Sequence, residues 1–384
     1  MLFTQLWVDK TMRIAFLCKR HYTGKDVMTD RFGRLYEIPH QLALLGHEVK
    51  AWCFDYHGDK DEQSQHKLEF GYLAWSSTAL KGMRLLRLPA HLSKLKHKIE
   101  TFKPDIVIGA SDIPHVFLAA YVAKQLNTPC VIDLYDNFES FAQARIPLFK
   151  TLLKYAICQA HLVITVSQPL KEKVQHDFNP ICSVYVMTNG INKNLFSTGS
   201  KDTARERLGL PLNVKLIGTA GSLSRMKGVD TIYAAWSELE QKYPDLHLIL
   251  AGSVEATLPI PNSNRVHYLG VLSERDVITL FQALDVGIIS LQDSSFGRYC
   301  FPQKMYEMLA CGLAIVSTDV GVMSGLLHQF PQLLYKANHQ AQLAKTIEYQ
   351  VNHDILPSVP ILSWQELVSS IEPLLKELII SHSH

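Results

Sequence analysis

Two short segments of this chain place glycines and charged residues where a loop enters a predicted helix. GSLSRMKG begins at Gly221, which lets backbone approach an anion closely, and it carries Lys227 just before the helix. KMYEMLACG begins at Lys304, and Glu307 follows three residues later on the same helix face. Helix N-termini bind anions through unpaired N–H groups and the positive end of the helix dipole. A cation can bind phosphate, and a carboxylate can accept hydrogen bonds from sugar hydroxyls. Together these residues indicate a nucleotide-sugar site.

The elements that must position these residues are short apolar runs alternating with longer amphipathic stretches. This alternation is typical of βα units with parallel sheets, and it restarts after a polar stretch at 192–213. We therefore predict an α/β protein with two doubly wound Rossmann-like domains. Ligands bind such sheets at the carboxyl ends of the strands, which predicts a cleft between the two domains. The predicted strands are 12–18, 47–53, 104–110, 128–134, 161–167 and 182–187, then 214–221, 246–252, 265–270, 285–291 and 313–319.

The composition excludes several classes of protein. At 384 residues the chain exceeds what one hydrophobic core usually serves, so two domains are expected. A net charge of +2 gives no support for nucleic-acid binding. The seven cysteines are scattered and contain no CxxC pair, which favours a reducing cytoplasm.

Membrane insertion and secretion are not indicated by the sequence. No run approaches the roughly 20 apolar residues that span a bilayer. The opening MLFTQLWVDKT lacks a basic start, a sustained apolar core and a cleavage site, so we expect a short extension and not a signal peptide.

Several longer segments carry a family resemblance. They are NGINKNLF at 189–196, GSLSRMKG, and the block from LSERDVITLFQALDVGIISL to FPQKMYEMLACGLAIVSTDVG. GHEV at 46–49, DRFGRL at 30–35 and the late SWQELVSSIEPLL agree with them in order and spacing. From about Met12 to the last helix the chain resembles the retaining glycosyltransferases of family 4, which have the GT-B fold.

The resemblance implies a hexosyltransferase that moves a sugar from a nucleotide diphosphate donor with retention of configuration and without a metal or other cofactor. It implies an acceptor-side domain at 1–190, a donor-binding domain at 191–362, and a final helix at 363–384 that returns to the first domain. A UDP-sugar is favoured over a GDP-sugar. The acceptor is expected to be a glycan or a lipid-linked molecule of envelope or capsular polysaccharide synthesis.

The resemblance also implies roles for single residues. Lys227 matches the lysine that contacts the diphosphate, and Glu307 matches the second glutamate of a pair, which meets the donor ribose. Gly33 stands where a glycine loop of the first domain approaches the phosphates. Asp136, in DLYDNFE, stands near the acceptor-side position. We take Asp136, Lys227 and Glu307 as the catalytic candidates, with Gly33, Gly221, Ser222, Arg225 and Lys304 added for donor binding.

The sequence departs from the family pattern at positions expected to contact the donor and at one expected on the acceptor side. The arginine expected five residues before Lys227 is Ser222, and Arg225 is the nearest candidate to replace it. The first glutamate of the pair would fall at Tyr299, and a histidine often found before the acceptor-side acid is Tyr135. These changes occur in branches of the family with a K-x-x-E pattern, and they leave the donor open.

Each candidate also has an ordinary structural interpretation. Lys304 and Glu307 would suit a simple helix pair, and Gly33 would suit a turn. Asp136 would suit a cap after a strand, and His115 is more often a helix-start residue than a catalyst. Asp59-Lys60-Asp61 spells a metal-binding DxD, but it lies in the polar loop HGDKDEQSQH with no strand before it, so we predict no metal site.

A basic segment at 80–103 carries seven Lys and Arg residues against one acid. Its apolar residues recur at helical spacing, interrupted at Pro89. Such a segment forms either a solvated helix face or a cationic surface that docks peripherally on the inner face of the cell membrane. The recurring apolar residues are Leu85, Leu88, Leu92, Leu95 and Ile99.

Two other functions fit the same residues. A nucleotide-sugar epimerase or hydrolase would use the same fold and donor site. A non-catalytic nucleotide-sugar binding protein would explain Ser222 and Tyr299. A dehydrogenase is disfavoured, because neither half shows GxGxxG followed by the expected acid.

Overall fold

The computed structural model describes residues 11–22, 24–141 and 146–382. The chain divides into two compact units: the first is Met1–Gly190 with Trp364–His384, and the second is Ile191–Ser363. The predicted N-terminal extension lies, except for Thr11, outside the described residues.

The first unit is built on an eight-stranded sheet and a two-stranded hairpin. The sheet is parallel except for β5, which pairs antiparallel with β6 at one edge. Its order is β10-β9-β8-β7-β1-β4-β6-β5, with β2 and β3 forming the hairpin. The strands are β1 (Arg13–Lys19), β2 (His21–Tyr22), β3 (Lys25–Asp26), β4 (Glu48–Asp55), β5 (Glu62–Lys67), β6 (Tyr72–Ala79), β7 (Ile106–Gly109), β8 (Cys130–Leu134), β9 (Leu162–Thr165) and β10 (Ser183–Val186).

Helices connect the parallel strands of the first unit. Short 3-10 turns precede two of them, at Gly82–Arg87 and Phe138–Ser140. The helices are α1 (Arg34–Leu44), α2 (Leu88–Phe102), α3 (Ile113–Leu126), α4 (Pro147–Gln159) and α5 (Gln168–Phe178). Pro89 lies in the first turn of α2, where proline is tolerated, and not at an interruption of the helix. Pro39 lies inside α1.

The second unit has a six-stranded parallel sheet in the order β13-β12-β11-β14-β15-β16. Its strands are β11 (Lys215–Ala220), β12 (Leu246–Ala251), β13 (Val266–Tyr268), β14 (Val286–Ile289), β15 (Ala314–Thr318) and β16 (Leu334–Tyr335). Its helices are α6 (Lys201–Leu208), α7 (Val229–Lys242), α8 (Glu274–Ala283), α9 (Gln303–Ala310), α10 (Val322–Leu326) and α11 (Gln340–His353), with 3-10 turns at Arg225–Lys227 and Pro331–Leu333.

The last helix, α12 (Trp364–His382), belongs to the first unit. Its apolar face, including Trp364 and Ile371, joins the core that contains β1 and β4. Glu372 on this helix lies 3.0 Å from His47 Nε2 at the start of β4. The predicted return of the final helix to the first domain is therefore confirmed.

The central strands form because they are continuous apolar runs, as expected of parallel strands covered on both faces. Five consecutive residues of β1, from Ile14 to Cys18, are buried. The same holds for all four residues of β7 and of β14. Among the described residues, no helix has the length and apolar character needed to cross a membrane.

Three strands of the two sheets were not predicted. β5 is wholly polar, EQSQHK, and is an exposed edge strand, so the polar loop that we predicted after Asp61 is wrong. β6 alternates buried and half-buried residues, as a sheet partner of that edge does. β16 has only two residues and lies at the edge of the second sheet.

Candidate functional site

The second unit has its topological switch point between β11 and β14. These strands are neighbours, and the chain leaves β11 toward β12 and β13 on one side, whereas β15 and β16 follow β14 on the other. The connections after the two strands therefore run in opposite directions from the carboxyl edge, which is where ligands bind open α/β sheets. Gly221 directly follows β11, and Ser290 directly follows β14.

Close backbone packing shapes the loop after β11. Gly221 has φ +125°, and its N–H donates to the Ala251 carbonyl at 2.8 Å. A methyl group on Gly221 would lie 1.9 Å from Lys304 Nζ and 2.8 Å from its Cε. The Lys304 ammonium therefore lies against the α-carbon of Gly221, so a side chain at position 221 would displace it.

The turn that carries Lys227 is held from the loop after β14. Ser290 Oγ donates to the Gly228 carbonyl at 2.8 Å, and Gln292 Nε2 donates to the Arg225 carbonyl at 3.2 Å. Gly228 adopts φ +71° and caps helix α7, as the sequence predicts. These bonds fix the backbone on both sides of Lys227, which is the kind of support that a binding residue needs.

The Lys227 ammonium lies 4.0 Å from the centre of the Phe296 ring. Phe296 belongs to the loop between β14 and α9. A cation over an aromatic face gains about 0.5–2 kcal/mol, depending on how far it is desolvated. The ring therefore helps to position the Lys227 side chain.

Lys304 and Glu307 lie in the first five residues of helix α9. Burial of the Lys304 ammonium lowers its pKa to about 8; Glu307 opposes this shift and Lys227 adds to it. Burial likewise raises the pKa of the Glu307 carboxyl to about 7, although Lys304 and a hydrogen bond from Gln303 act in the other direction. In the part of the chain that the structure describes, no carboxylate comes within ion-pair distance of Lys304 Nζ.

The structure thus brings Gly221, Lys227, Lys304 and Glu307 together at one edge of the second sheet. Ser222 is exposed beside Gly221. Arg225 Nη1 lies 3.6 Å from Asp230 Oδ2, and its Nη2 donates to the Thr257 carbonyl at 3.3 Å.

The first unit has an equivalent switch point between β1 and β7. The backbone N–H of Lys19, at the end of β1, donates to Ser111 Oγ at 2.9 Å after β7. Ser111 is buried and has φ +90°, a backbone region that non-glycine residues seldom adopt. Lys19 Nζ donates to the Tyr135 hydroxyl at 3.4 Å.

Asp112 and His115 form a buried pair at the start of helix α3. Asp112 caps the helix by accepting the His115 backbone N–H, and its carboxylate also binds His115 Nδ1. Burial tends to raise the pKa of Asp112, but His115 and Lys19 lower it below its usual value. His115 Nε2 is buried and has no hydrogen-bond partner among the residues that the structure describes. The predicted helix-start position of His115 agrees with the structure.

Gly33 and Asp136 also lie in the first unit, on different loops. Gly33 has φ +71° and caps helix α1, and a methyl group there would lie 2.9 Å from the Tyr22 ring. Tyr22 in turn packs edge-on against Tyr135, with ring centres 4.9 Å apart. Asp136 is buried and accepts the Asn137 N–H at 2.7 Å.

An ion pair that the sequence does not predict lies beneath this edge. Arg34, the first residue of α1, donates from Nε and Nη2 to the Asp133 carboxylate at 2.7–3.0 Å, and both side chains are fully buried. Arg34 Nη1 also donates to the carbonyls of Met187 and Thr188, at 2.7 and 2.9 Å. The only signal in the sequence was an arginine directly after a loop glycine. Lys19 and Phe296 had none, because their partners are distant along the chain.

The described residues contain no group of three or more His, Cys, Asp or Glu side chains suited to hold a metal ion. The two acids of the DxD-like motif are bound otherwise. Asp59 lies 3.3 Å from Lys81 Nζ. Asp61 accepts the Ala79 N–H at 3.0 Å and lies 3.4 Å from Arg84.

Two family models match consecutive parts of the chain. Residues 34–195 match the model "Glycosyltransferase Family 4", and residues 200–359 match "Glycosyl transferases group 1". D-inositol 3-phosphate glycosyltransferase of Corynebacterium aurimucosum is 28% identical over 177 residues, which are 42% of this chain and 41% of that relative. Putative teichuronic acid biosynthesis glycosyltransferase TuaC of Bacillus subtilis is 24% identical over 64% of this chain and 60% of its own length. The chain thus matches less than two thirds of the length of either relative.

Solved structures resemble the whole chain. Sucrose-phosphate synthase from Thermosynechococcus elongatus has a TM-score of 0.71 at 16% identity, covering 96% of this chain and 100% of that one. Anabaena HepE in complex with UDP-glucose has a TM-score of 0.64 at 18% identity, covering 96% and 98%. At this level of identity the likeness shows the fold alone, and it confirms the predicted fold class. The chain belongs to the glycosyltransferases of family 4 and has the GT-B fold with two Rossmann-like domains.

Proposed function

We propose that this protein is a retaining glycosyltransferase that transfers a sugar from a nucleotide diphosphate donor to a glycan or lipid-linked acceptor. The observation that carries the proposal is the meeting of Gly221, Lys227 and Lys304 at the switch point of the second sheet. Close backbone and two ammonium groups together suit a diphosphate. Family membership supports transfer over the other reactions of nucleotide sugars.

Different residues bind the diphosphate and the ribose of the donor. Lys227 and the backbone beside Gly221 contact the diphosphate, and the Glu307 carboxylate accepts hydrogen bonds from the ribose hydroxyls. A carboxylate whose pKa burial raises to about 7 is half protonated near neutrality, and hydroxyl donors favour its charged form. Binding of the donor therefore ionises Glu307.

The chemical step needs stabilisation of a leaving group and little else from the protein. As the bond from the anomeric carbon to the phosphate oxygen breaks, negative charge grows on the diphosphate, and Lys227 and the loop N–H groups stabilise it. Such preorganised donors typically contribute a factor of about 10²–10³ each. The acceptor oxygen attacks from the same face, and its proton passes to the leaving phosphate oxygen. The products are a glycoside of retained configuration and a nucleoside diphosphate.

The first unit supplies the acceptor side in this proposal. Its switch point offers neutral hydroxyls, because burial raises the pKa of both Tyr22 and Tyr135 well above the usual range. Asp136 lies beside these two tyrosines and would contact the acceptor. Gly33 would let the backbone of its loop come close to the bound ligand. Tyrosine hydroxyls with aromatic faces suit a sugar or another polyol.

The donor is taken to be a UDP-sugar, because Anabaena HepE, which has a similar fold, was crystallised with UDP-glucose. The protein is expected to work without a divalent metal, since Asp59 and Asp61 are already bound to Lys81 and Arg84. Full activity in excess chelator is the expected result. Loss of activity that magnesium or manganese restores would contradict this part of the proposal.

A peripheral membrane contact is proposed for the basic segment at 80–103. Met83 and Leu86 are 83% and 79% exposed, which is unusual for large apolar side chains. Arg87, Lys94 and Lys98 form no ion pair among the described residues, whereas Lys96 pairs with Glu100. Exposed apolar groups beside unpaired cations suit the interface of an anionic bilayer, where a lipid-linked acceptor and the cytoplasmic enzyme would meet.

The test is a turnover assay with a panel of UDP- and GDP-sugars, followed by proton NMR of the anomeric signals. The expected result is release of nucleoside diphosphate that depends on an acceptor and a product of retained configuration. Release without any acceptor would indicate a hydrolase, and a change in the sugar of the donor itself would indicate an epimerase. Donor binding without turnover against every acceptor would indicate a non-catalytic binding protein.

A further inference from the structure

Lys304 is the most unusual titratable group of the second unit. Its ammonium lies against the α-carbon of Gly221, more than eighty residues away along the chain. Lys304 lies on helix α9, but its positive charge is therefore placed beside the loop that follows β11. The neighbouring residue on that loop, Ser222, is uncharged and exposed.

The surroundings of Lys304 do not neutralise its charge. Three charged groups act on this part of the molecule: Lys227 from the turn before α7, Glu307 from α9 itself, and Glu274 from α8, which faces Glu307. Lys227 repels the Lys304 ammonium, and Glu307 attracts it without forming an ion pair. A lysine held in this way costs folding free energy, because a desolvated charge needs a partner of opposite sign.

We propose that Lys304 is the second cation of the diphosphate site and takes the place of the arginine that position 222 lacks. The inference rests on the proposed function, because it needs a nucleotide diphosphate ligand. The diphosphate would lie over Gly221, between the ammonium groups of Lys227 and Lys304. Each of the two phosphate groups would then lie beside an ammonium group that the fold already holds in position.

Proton uptake follows from this arrangement. Burial keeps the pKa of the free Lys304 near 8, and an adjacent diphosphate favours the charged form and raises it. Binding near pH 8 therefore draws about half a proton onto Lys304. Affinity falls as the pH rises above 8, since a neutral amine must first be protonated. The terminal phosphate of UDP is already ionised at this pH and does not contribute.

The first experiment measures binding of UDP and of GDP by isothermal titration calorimetry at pH 7.5. Lys304→Met should weaken binding of the tighter nucleotide about 10–100-fold, as for loss of one charge-assisted contact. Lys242→Met, on the exposed last turn of α7, is the matched control and should leave affinity unchanged. Binding of neither nucleotide by the wild-type protein would overturn the proposed function and this inference together. Wild-type binding that Lys304→Met leaves intact would overturn this inference alone.

A second variant keeps the test valid even where Lys304→Met alters local packing. Ser222→Arg in the Lys304→Met background supplies a second cation to the proposed diphosphate site again, this time from the loop after β11. At least tenfold recovery of UDP affinity is expected, whereas Ser222→Asn in that background should recover none. Equal affinity of the two double variants would contradict a shared role for positions 222 and 304.

The third readout is the pH profile, which a purely structural lysine would not change. Wild-type affinity should fall about tenfold per pH unit above pH 8, and Lys304→Arg should remove this dependence because arginine stays charged. Titrations in buffers of different ionisation enthalpy should show net proton uptake at pH 8 in the wild type, whereas Lys304→Arg should show only a small proton release from Glu307. A pH dependence that is the same in both proteins would overturn the inference.

Discussion

The carboxyl edges of the two sheets differ in how their charges are matched. In the first unit, Arg34 and Asp133 form a buried pair whose remaining donors bind backbone carbonyls, and Asp112 binds His115. In the second unit, Lys304 has no ion-pair partner among the described residues, and Lys227 repels it. Both edges lie at switch points of open parallel sheets, so the difference is one of chemistry and not of topology.

This difference in charge compensation has consequences for stability and for ligand binding. The pairs of the first edge compensate one another's charges without a ligand, and this edge also carries the hydroxyls of Tyr22 and Tyr135. An unmatched edge is destabilising by itself and becomes favourable when a ligand of opposite charge arrives. Under the proposed function, the second edge therefore exchanges stability for binding, as functional sites often do. Substitutions at the two edges should have opposite effects on stability.

The largest effect is expected at the buried ion pair of the first edge. Arg34→Ala leaves the Asp133 carboxylate buried without its partner, and breaking a buried pair in this way costs about 3–5 kcal/mol. Urea unfolding followed by circular dichroism measures the loss. The matched control is Arg84→Ala, whose exposed pair with Asp61 is worth at most about 1 kcal/mol. Equal losses for the two variants would contradict the contrast between the edges.

The next effect is catalytic and lies at the second edge. Lys227→Ala removes the cation that we propose to stabilise the leaving diphosphate, so kcat should fall about 10²–10³-fold. Loss of the charge relieves the repulsion of Lys304 but also removes the contact with the Phe296 ring, so the unfolding midpoint should change little. Phe296→Leu, which removes only the ring beneath the ammonium, should lower kcat by less than Lys227→Ala. An unchanged kcat in Lys227→Ala would remove this residue from the mechanism.

Glu307→Gln should separate binding from stability. The proposed contacts of Glu307 with the ribose would persist through the reaction, so the KM for the donor should rise while kcat changes little. The Glu307 carboxyl has a folded pKa of about 7, above its ordinary value of 4.5, so the wild-type protein loses stability as the pH rises from about 4.5 through 7. The variant lacks this loss and should be more stable than the wild type at pH 8, by on the order of 1 kcal/mol.

Two measurements therefore check Glu307 independently. Thermal unfolding at pH 5 and pH 8 should show the variant gaining stability relative to the wild type only at the higher pH. A variant that is less stable at pH 8 would assign Glu307 a structural role, and an unchanged donor KM would remove it from the ribose site.

The smallest effect is expected at the basic segment. Replacing Lys94 and Lys98 by Gln should weaken binding to vesicles with anionic lipid by about 1 kcal/mol for each charge, and salt should screen the difference. Met83→Ser with Leu86→Ser should weaken binding at every salt concentration, because apolar insertion is not screened. Lys150→Gln, on α4, is the control. Wild-type protein that stays in the supernatant with all vesicle compositions would identify 80–103 as an ordinary solvated face.

The sequence predicts most of the sheets because buried parallel strands are continuous apolar runs. It fails at β5, where the strand is polar because it lies at an exposed edge. Helix starts are predictable where a cap is local. Ser273 and Asp276 have the spacing of a capping box at the start of α8, and Ser273 Oγ accepts the Asp276 N–H at 3.2 Å. Such signals depend on a few neighbouring residues, and so does the position of Gly228 before α7.

The parts of the site that were not predictable depend on strand order. Lys304 meets Gly221 only because β14 lies beside β11 in the folded sheet, and no spacing in the sequence encodes that neighbourhood. Phe296 beneath Lys227 and Asp133 beneath Arg34 are missed for the same reason. The direction of the Arg225 side chain likewise follows from Asp230 and Thr257, which the sequence did not connect with it.

A crystal structure of the protein with bound UDP would show whether the unmatched edge of the second sheet receives the diphosphate. We expect phosphate oxygens over Gly221, within about 2.7–3.2 Å of Lys304 Nζ and of a loop N–H, with Lys227 on the opposite side. We also expect ribose hydroxyls at Glu307. A diphosphate that contacts neither lysine, or that lies away from the loops after β11 and β14, would contradict the account.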